Sequence, residues 1–279
     1  MSGGFTFHRP TAVPAFGPAF GIAMLGTGLL VLLPLAALLL RAAGQSFDSF
    51  VDAAFSPRAM AAYRLSFGAS LLAAGVNAVV GTVLAWVLVR YRFPFRRIVD
   101  ALIDLPFALP TAVAGVALTT IAAPDGILGR IAEPFGIKLA FTPFGVFLAL
   151  LFIGLPFVVR TLQPVLQDLE PELEEAAALL GAGRASTFLR VVLPAIAPAA
   201  ATGFALAFAR SVGEYGSVIF IAGNMPMVSE IAPLLIVVQL EQFQYGAATA
   251  IATVLLGASL AVLLVCVVLQ RRLERDRVA

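Results

Sequence analysis

EEAAALLGAGRASTFLRVVLP, residues 174–194, carries two glutamates, two arginines and two glycines. A charge near the centre of a membrane helix costs about 2.5–3.5 kcal/mol, so this segment does not cross a bilayer. The rest of the chain reads the opposite way. Of its 279 residues, 61% are hydrophobic and 12% charged, with a mean hydropathy of +1.00. Ordinary soluble domains carry about 25% charged residues. A soluble fold of this composition lacks the polar surface to cover itself, so the chain is read as an integral membrane protein and the stretch as a loop between spans.

Outward from that loop, six stretches reach the roughly 20 apolar residues that a bilayer core requires. They run over about 18–40, 65–89, 101–123, 143–163, 197–222 and 247–269. The expected fold is an all-α polytopic membrane protein with six transmembrane helices in one domain, 18–269. Tails cover 1–17 and 270–279, and the loop covers 164–196, between spans four and five. The first apolar run exceeds the roughly 7–15 residues of a signal-peptide core, so it is expected to be a retained span.

Basic residues set the orientation. With the N-terminus in the cytoplasm, twelve of the 18 lysines and arginines fall in inside segments: Arg9, Arg90, Arg92, Arg96, Arg97, Arg160, Arg184, Arg190, Arg271, Arg272, Arg275 and Arg277. Five fall outside (Arg41, Arg58, Arg64, Arg130 and Lys138), and Arg210 lies within a span. This excess places both termini and the 164–196 loop in the cytoplasm. RYRFPFRR (90–97), directly after a span, then reads as a topology anchor at the headgroup layer rather than a nucleic-acid patch.

The loop has its own helical chemistry. Asp168 and Glu170 precede Pro171, a favoured first helical residue, and Glu172, Glu174 and Glu175 place negative charge at the positive end of the helix dipole. Ala176 to Leu180 favour helix, and Gly181 or Gly183 supplies a left-handed cap. A second short helix, Arg184 to Val192, is expected to end at Pro194. An amphipathic helix lying on anionic headgroups would be basic. This one is acidic and rich in small residues, which suits a protein partner.

Spacing sharpens the reading. Glu175-Ala176-Ala177, three residues, Gly181, nine residues, then Val191-x-Leu193-Pro194 resembles the EAA loop of ABC importer permeases, EAA-x3-G-x9-I-x-L-P, with Val191 in place of isoleucine. DLPFALPTAVAGVAL (104–118), SVGEYGSVIFIAGNMP (211–226) and VSEIAPLLIVVQLEQFQYGAA (228–248) extend the resemblance along nearly the whole chain. They are similar to permeases of sulfate/thiosulfate and molybdate importers, most like the T-type (U-type) sulfate subunit. That resemblance implies import of sulfate or thiosulfate across a bacterial inner membrane, beside a W-type permease partner and below a periplasmic sulfate-binding protein. It implies that an ATPase dimer docks on Glu174, Glu175, Ala176, Ala177, Gly181, Gly183, Val191, Leu193 and Pro194. ATP and Mg are then used by that ATPase, and this chain binds no cofactor and has no catalytic site.

Arg210 and Glu214 are the two charges clearly inside a predicted span, and they should face protein or water rather than lipid. At i and i+4 they share a helix face. Two readings stand: a fixed pair that locks the fifth span, or a gate in which a released Arg210 guanidinium meets a passing oxyanion. Ser211, Ser217, Thr111 and Thr119 offer neutral hydroxyls for the same path. Asp104, Pro106 and Pro110 suggest an irregular start to the third span. Ile231 to Leu240 is too short to cross and reads as a re-entrant or interfacial segment, with Glu230 and Glu241 flanking it as part of a surface for the binding protein.

Other classes fit less well. No GxxxxGK[ST] loop is present, so ATP is not bound by that route. One histidine, His8, and one cysteine, Cys266, leave no metal site and no Ser/His or Cys/His pair for a membrane enzyme. A secondary transporter or channel would leave the acidic hairpin unexplained. Molybdate or tungstate is the alternative substrate, since tetrahedral oxyanions ask for similar chemistry.

Overall fold

The computed structural model describes residues 16–278, with side chains as far as Val268 and at Gln270. Arg9, most of the N-terminal tail and the side chains of Arg271, Arg272, Arg275 and Arg277, which entered the orientation count, lie outside the described residues. All regular structure among the described residues is helical: α1 (Phe16–Ala43), α2 (Phe47–Ala54), α3 (Pro57–Arg90), α4 (Arg96–Ile103), α5 (Leu105–Ala108), α6 (Thr111–Ala122), α7 (Ile127–Ala132), α8 (Pro143–Asp168), α9 (Pro171–Leu179), α10 (Arg184–Thr187), α11 (Leu193–Val212), α12 (Val218–Ala222), α13 (Ala232–Glu241) and α14 (Tyr245–Val278). Six segments are long and apolar enough to cross a membrane: Phe16–Ala43, Pro57–Arg90, Thr111–Phe135, Pro143–Asp168, Arg184–Val212 and Tyr245–Val268.

Two expected spans are shifted, and prolines or a glycine explain each shift. The 101–123 span does not start at 101. Pro106 and Pro110 withhold backbone donors, and Leu109 before Pro110 is extended (φ −87°, ψ 135°), as the residue before a proline prefers. The run therefore breaks into α4 and α5, and the long helix begins at Thr111. The 197–222 span stops at Val212, where Gly213 ends α11, and α12 is a separate short helix. Nor does the helix after the loop stop at Pro194. A π-helical turn, Phe188–Val192, carries α10 straight into α11. Pro194 has no N–H to give the preceding turn, and the wider π turn just before it is where the continuous helix accommodates the missing bond.

The bundle centre is α3, α8 and α11, and it closes on one side chain. Val158 of α8 is fully buried between two glycines. A Cβ at Gly81 of α3 would lie 2.7 Å from Val158 Cγ1, and one at Gly203 of α11 would lie 3.0 Å from Val158 Cα. Small residues let three membrane helices meet backbone to backbone, where packing rather than water exclusion drives association. Asn77 of α3 donates to the Leu151 carbonyl at 3.0 Å, one turn before Pro156 interrupts the α8 ladder. α1 and α14 pack on each other at the periphery, and the most apolar window of α1 has no buried residue.

At the end opposite the 164–196 loop, Arg58 grips Glu230 in a fork: Nε donates to Oε2 and Nη2 to Oε1, both at 2.7 Å. Glu230 is 1% exposed as a side chain, so it is spent on α3 and does not belong to a surface for a partner. The Ile231–Leu240 segment is the helix α13, packed against α14 and α3, and Ser66 of α3 accepts the Ala232 N–H at 2.8 Å.

Candidate functional site

The spacing from Ala177 to Gly181 is a helix terminator. The Gly181 N–H donates to the Ala178 carbonyl (2.9 Å) and the Ala182 N–H to the Ala177 carbonyl (3.0 Å), with Gly181 at φ +82°. This is the Schellman arrangement, in which a left-handed residue just past the helix satisfies its last carbonyls. Gly183 is extended (φ −70°, ψ 159°) and starts α10 instead, so the left-handed cap falls to Gly181. At the other end of α9, Pro171 is the first helical residue and Glu172 and Glu174 sit in the first turn.

The hairpin is clamped to the end of α3. Arg90 donates Nε to Glu174 Oε1 and Nη2 to the Leu169 carbonyl, both at 2.9 Å. Trp86, one turn earlier, packs on Phe188 at 5.2 Å between ring centroids and edge-on against Tyr91 at 5.8 Å. Glu174 thus faces inward, while Glu175 and Ala176 stay exposed. Leu179 and Leu180 are each 89% exposed, so the acidic helix α9 leaves two large apolar side chains uncovered in this chain. Val191 and Leu193 are half-buried and Pro194 exposed, with Leu193 packed on the main core.

Because the π turn joins α10 to α11, the second arm of the hairpin and Arg210 belong to one rod. From Val191 to Arg210 it spans about 28 Å at 1.5 Å per residue. At its far end Arg210 Nη1 meets Glu214 Oε2 at 2.5 Å, with the Arg210 side chain 35% exposed and Glu214 2%. The pair is not a shared helix face, since Glu214 lies beyond Gly213. Its other oxygen, Oε1, accepts the Ser217 N–H (2.9 Å) and the Ser217 hydroxyl (3.0 Å). One carboxylate therefore ties the last turn of α11 to the first donors of α12, which would otherwise be unsatisfied.

Four of the six candidates for an anion path gather here. Arg210 and Ser217 are both bonded to Glu214, and Thr111 opens α6 against Gly216. The Gly115 position of α6 lies so close to Ser217 that a Cβ would sit 2.5 Å from its carbonyl oxygen. Ser211 points elsewhere: it is buried, its hydroxyl has no partner, and it faces Gly154 of α8. Thr119 spends its hydroxyl on the Gly115 carbonyl at 2.7 Å.

The sequence profile described as "Binding-protein-dependent transport system inner membrane component" matches residues 77–277. The chain belongs to this family. The permease is 49% identical over 267 residues to the sulfate transport system permease protein CysT of Synechocystis sp., covering 96% of this chain and 92% of that one. It is 46% identical over 271 residues to CysT of Escherichia coli (97% and 98% covered). To the probable sulfate transport system permease protein of Nephroselmis olivacea it is 53% identical over 234 residues (84% and 82%). Its fold is that of a bacterial ABC transporter involved in alginate import, with a TM-score of 0.76 at 18% identity over 91% of this chain and 94% of that one. The same transporter bound to its periplasmic protein gives a TM-score of 0.75 at 18% identity, covering 91% and 93%.

Several residues of the permease escaped the sequence reading. Arg90 and Arg160 look like topology charges in a list of loops, yet both are spoken for. Arg160 of α8 holds Asp104 through Nε (2.8 Å) and Nη2 (2.5 Å) and Asp100 through Nη1 (2.8 Å). Burial works to raise the Asp100 pKa, but bonds from Gln163 and Arg160 outweigh it and hold the group below its ordinary range. Trp86 carried no signal beyond being the single tryptophan.

Proposed function

We propose that this permease imports sulfate or thiosulfate from periplasm to cytoplasm as one membrane-spanning subunit of an ATP-driven complex. In this reading both termini and the α9–α10 hairpin are cytoplasmic, in a bacterial inner membrane. A W-type permease lies beside the chain, an ATPase dimer docks on the exposed face of α9, and a sulfate-binding protein delivers the anion on the other side. The chain itself performs no catalysis and binds no cofactor; ATP and Mg belong to the ATPase. The observation that carries the coupling role is the hairpin and its rod: the Schellman-capped acidic helix α9, pinned by Arg90, turns at Gly181 into α10, which runs through the π turn into α11 as far as Arg210 and Val212. The substrate rests on likeness to proteins named as sulfate permeases.

Closure of an ATPase on α9 moves α11 as a unit, and the Arg210–Glu214–Ser217 hub is the first thing that motion disturbs. Freed from Glu214, Arg210 offers a planar fork of donors that matches a tetrahedral oxyanion. The test is ATPase activity of the reconstituted complex with its binding protein, comparing sulfate, thiosulfate and molybdate. Stimulation by sulfate or thiosulfate is expected; stimulation by molybdate alone transfers the assignment to the molybdate class.

A further inference from the structure

Four arginines of the bundle have carboxylate partners: Arg58, Arg90, Arg160 and Arg210. Arg92, Arg96 and Arg97 are different. None of the three forms an ion pair among the described residues, and with Phe93, Phe95 and Asp100 they line an open cleft of about 680 Å³. The one acid in the cleft, Asp100, is committed to Arg160 and Gln163. Asp100 also attracts Arg96, yet one carboxylate shared with Arg160 does not balance three arginines, so the cleft is a net cationic concavity.

Its position is set by α3, a candidate span that ends at Arg90, six residues before α4 begins. The cleft thus sits at the rim of the hydrocarbon. Beside it runs an uncovered apolar stripe: Phe95 is 74% exposed, Ile98 55%, Leu102 53% and Leu105 38%. Ile98 and Leu102, four residues apart, share one side of α4, with Phe95 at its start and Leu105 just past the break at Asp104. Basic side chains at headgroup level beside an apolar stripe are complementary to one kind of molecule, a lipid with an anionic phosphate head and acyl chains. We propose that the cleft of Arg92, Arg96 and Arg97 binds the headgroup of an anionic phospholipid, whose chains lie along Phe95, Ile98, Leu102 and Leu105. This goes beyond an orientation signal, because it requires one retained lipid and discrimination by headgroup. It is independent of which anion the permease transports.

The experiment is native mass spectrometry of the assembled complex, extracted from vesicles of equal phosphatidylglycerol and phosphatidylcholine. Wild type is expected to retain phosphatidylglycerol selectively. Each surface arginine near an anionic membrane is worth about fivefold in binding, so Arg92→Gln with Arg97→Gln should weaken retention about thirtyfold. The Lys versions of both should restore most of it and also control for orientation. Equal retention of both lipids by wild type, or unchanged retention in the Gln double variant, overturns the proposal. So does displacement of the lipid by millimolar inorganic phosphate, which would make the cleft a site for free anions.

Discussion

At the scale of single residues, Gly181 and Arg210 hold the two ends of the proposed mechanism. Nothing lies within 4 Å of a Cβ built at Gly181, so an added methyl group meets no obstacle. Its penalty is conformational, about 1–2 kcal/mol for a left-handed L-residue. Gly181→Ala should fray the Schellman cap and weaken copurification of the ATPase subunit, with Gly181→Asn milder because asparagine tolerates that region. Equal copurification by Ala and wild type would show that the cap is dispensable. At the other end, Arg210→Ala leaves the 2%-exposed Glu214 side chain without its cation, so loss of uptake is expected whether the pair is a lock or a gate. Arg210→Lys distinguishes them: it keeps the charge but not the fork. Uptake reduced at least tenfold in a fully assembled Lys variant supports direct anion contact, and wild-type uptake supports a lock.

At the scale of elements, the hairpin is held by α3 and its second arm is continuous with α11. Trp86 is the only tryptophan and packs tilted on Phe188 at the joint, so it reports on that contact. Arg90→Gln removes the Nε and Nη2 bonds to Glu174 and Leu169 and should shift the Trp86 emission of the purified chain to longer wavelength. An unchanged spectrum would mean that aromatic packing alone seats the hairpin. These elements were unevenly legible beforehand. The helix over 171–179 and its glycine cap follow from local chemistry, because the proline, the acids and Gly181 act within one or two turns. The run through Pro194 was not, because a π turn leaves no composition signature and a proline in a first turn reads the same as a stop. The breaks at Leu109 and Gly213 had their cause in view, in Pro110 and in a glycine followed by a glutamate. Hydropathy averaged over 20 residues passed over both. Arg58–Glu230, 172 residues apart, had no local signal at all.

At the scale of the whole molecule, a central trio of helices carries the packing while α1 and α14 lie outside it. The loop at one end and the Arg210 hub are joined by a continuous helix. This architecture makes a prediction about energy, not only about structure. A channel or secondary transporter needs no ATPase, whereas a permease worked through α9 would be idle until an ATPase closes on it. The direct measurement is uptake of radiolabelled sulfate into proteoliposomes holding this permease, its permease partner, the ATPase and the binding protein, with and without ATP on the hairpin side. Uptake should require ATP and fall in step with ATPase docking in Gly181→Ala. ATP-independent uptake by this chain alone, at a rate matching the full complex, would contradict the account.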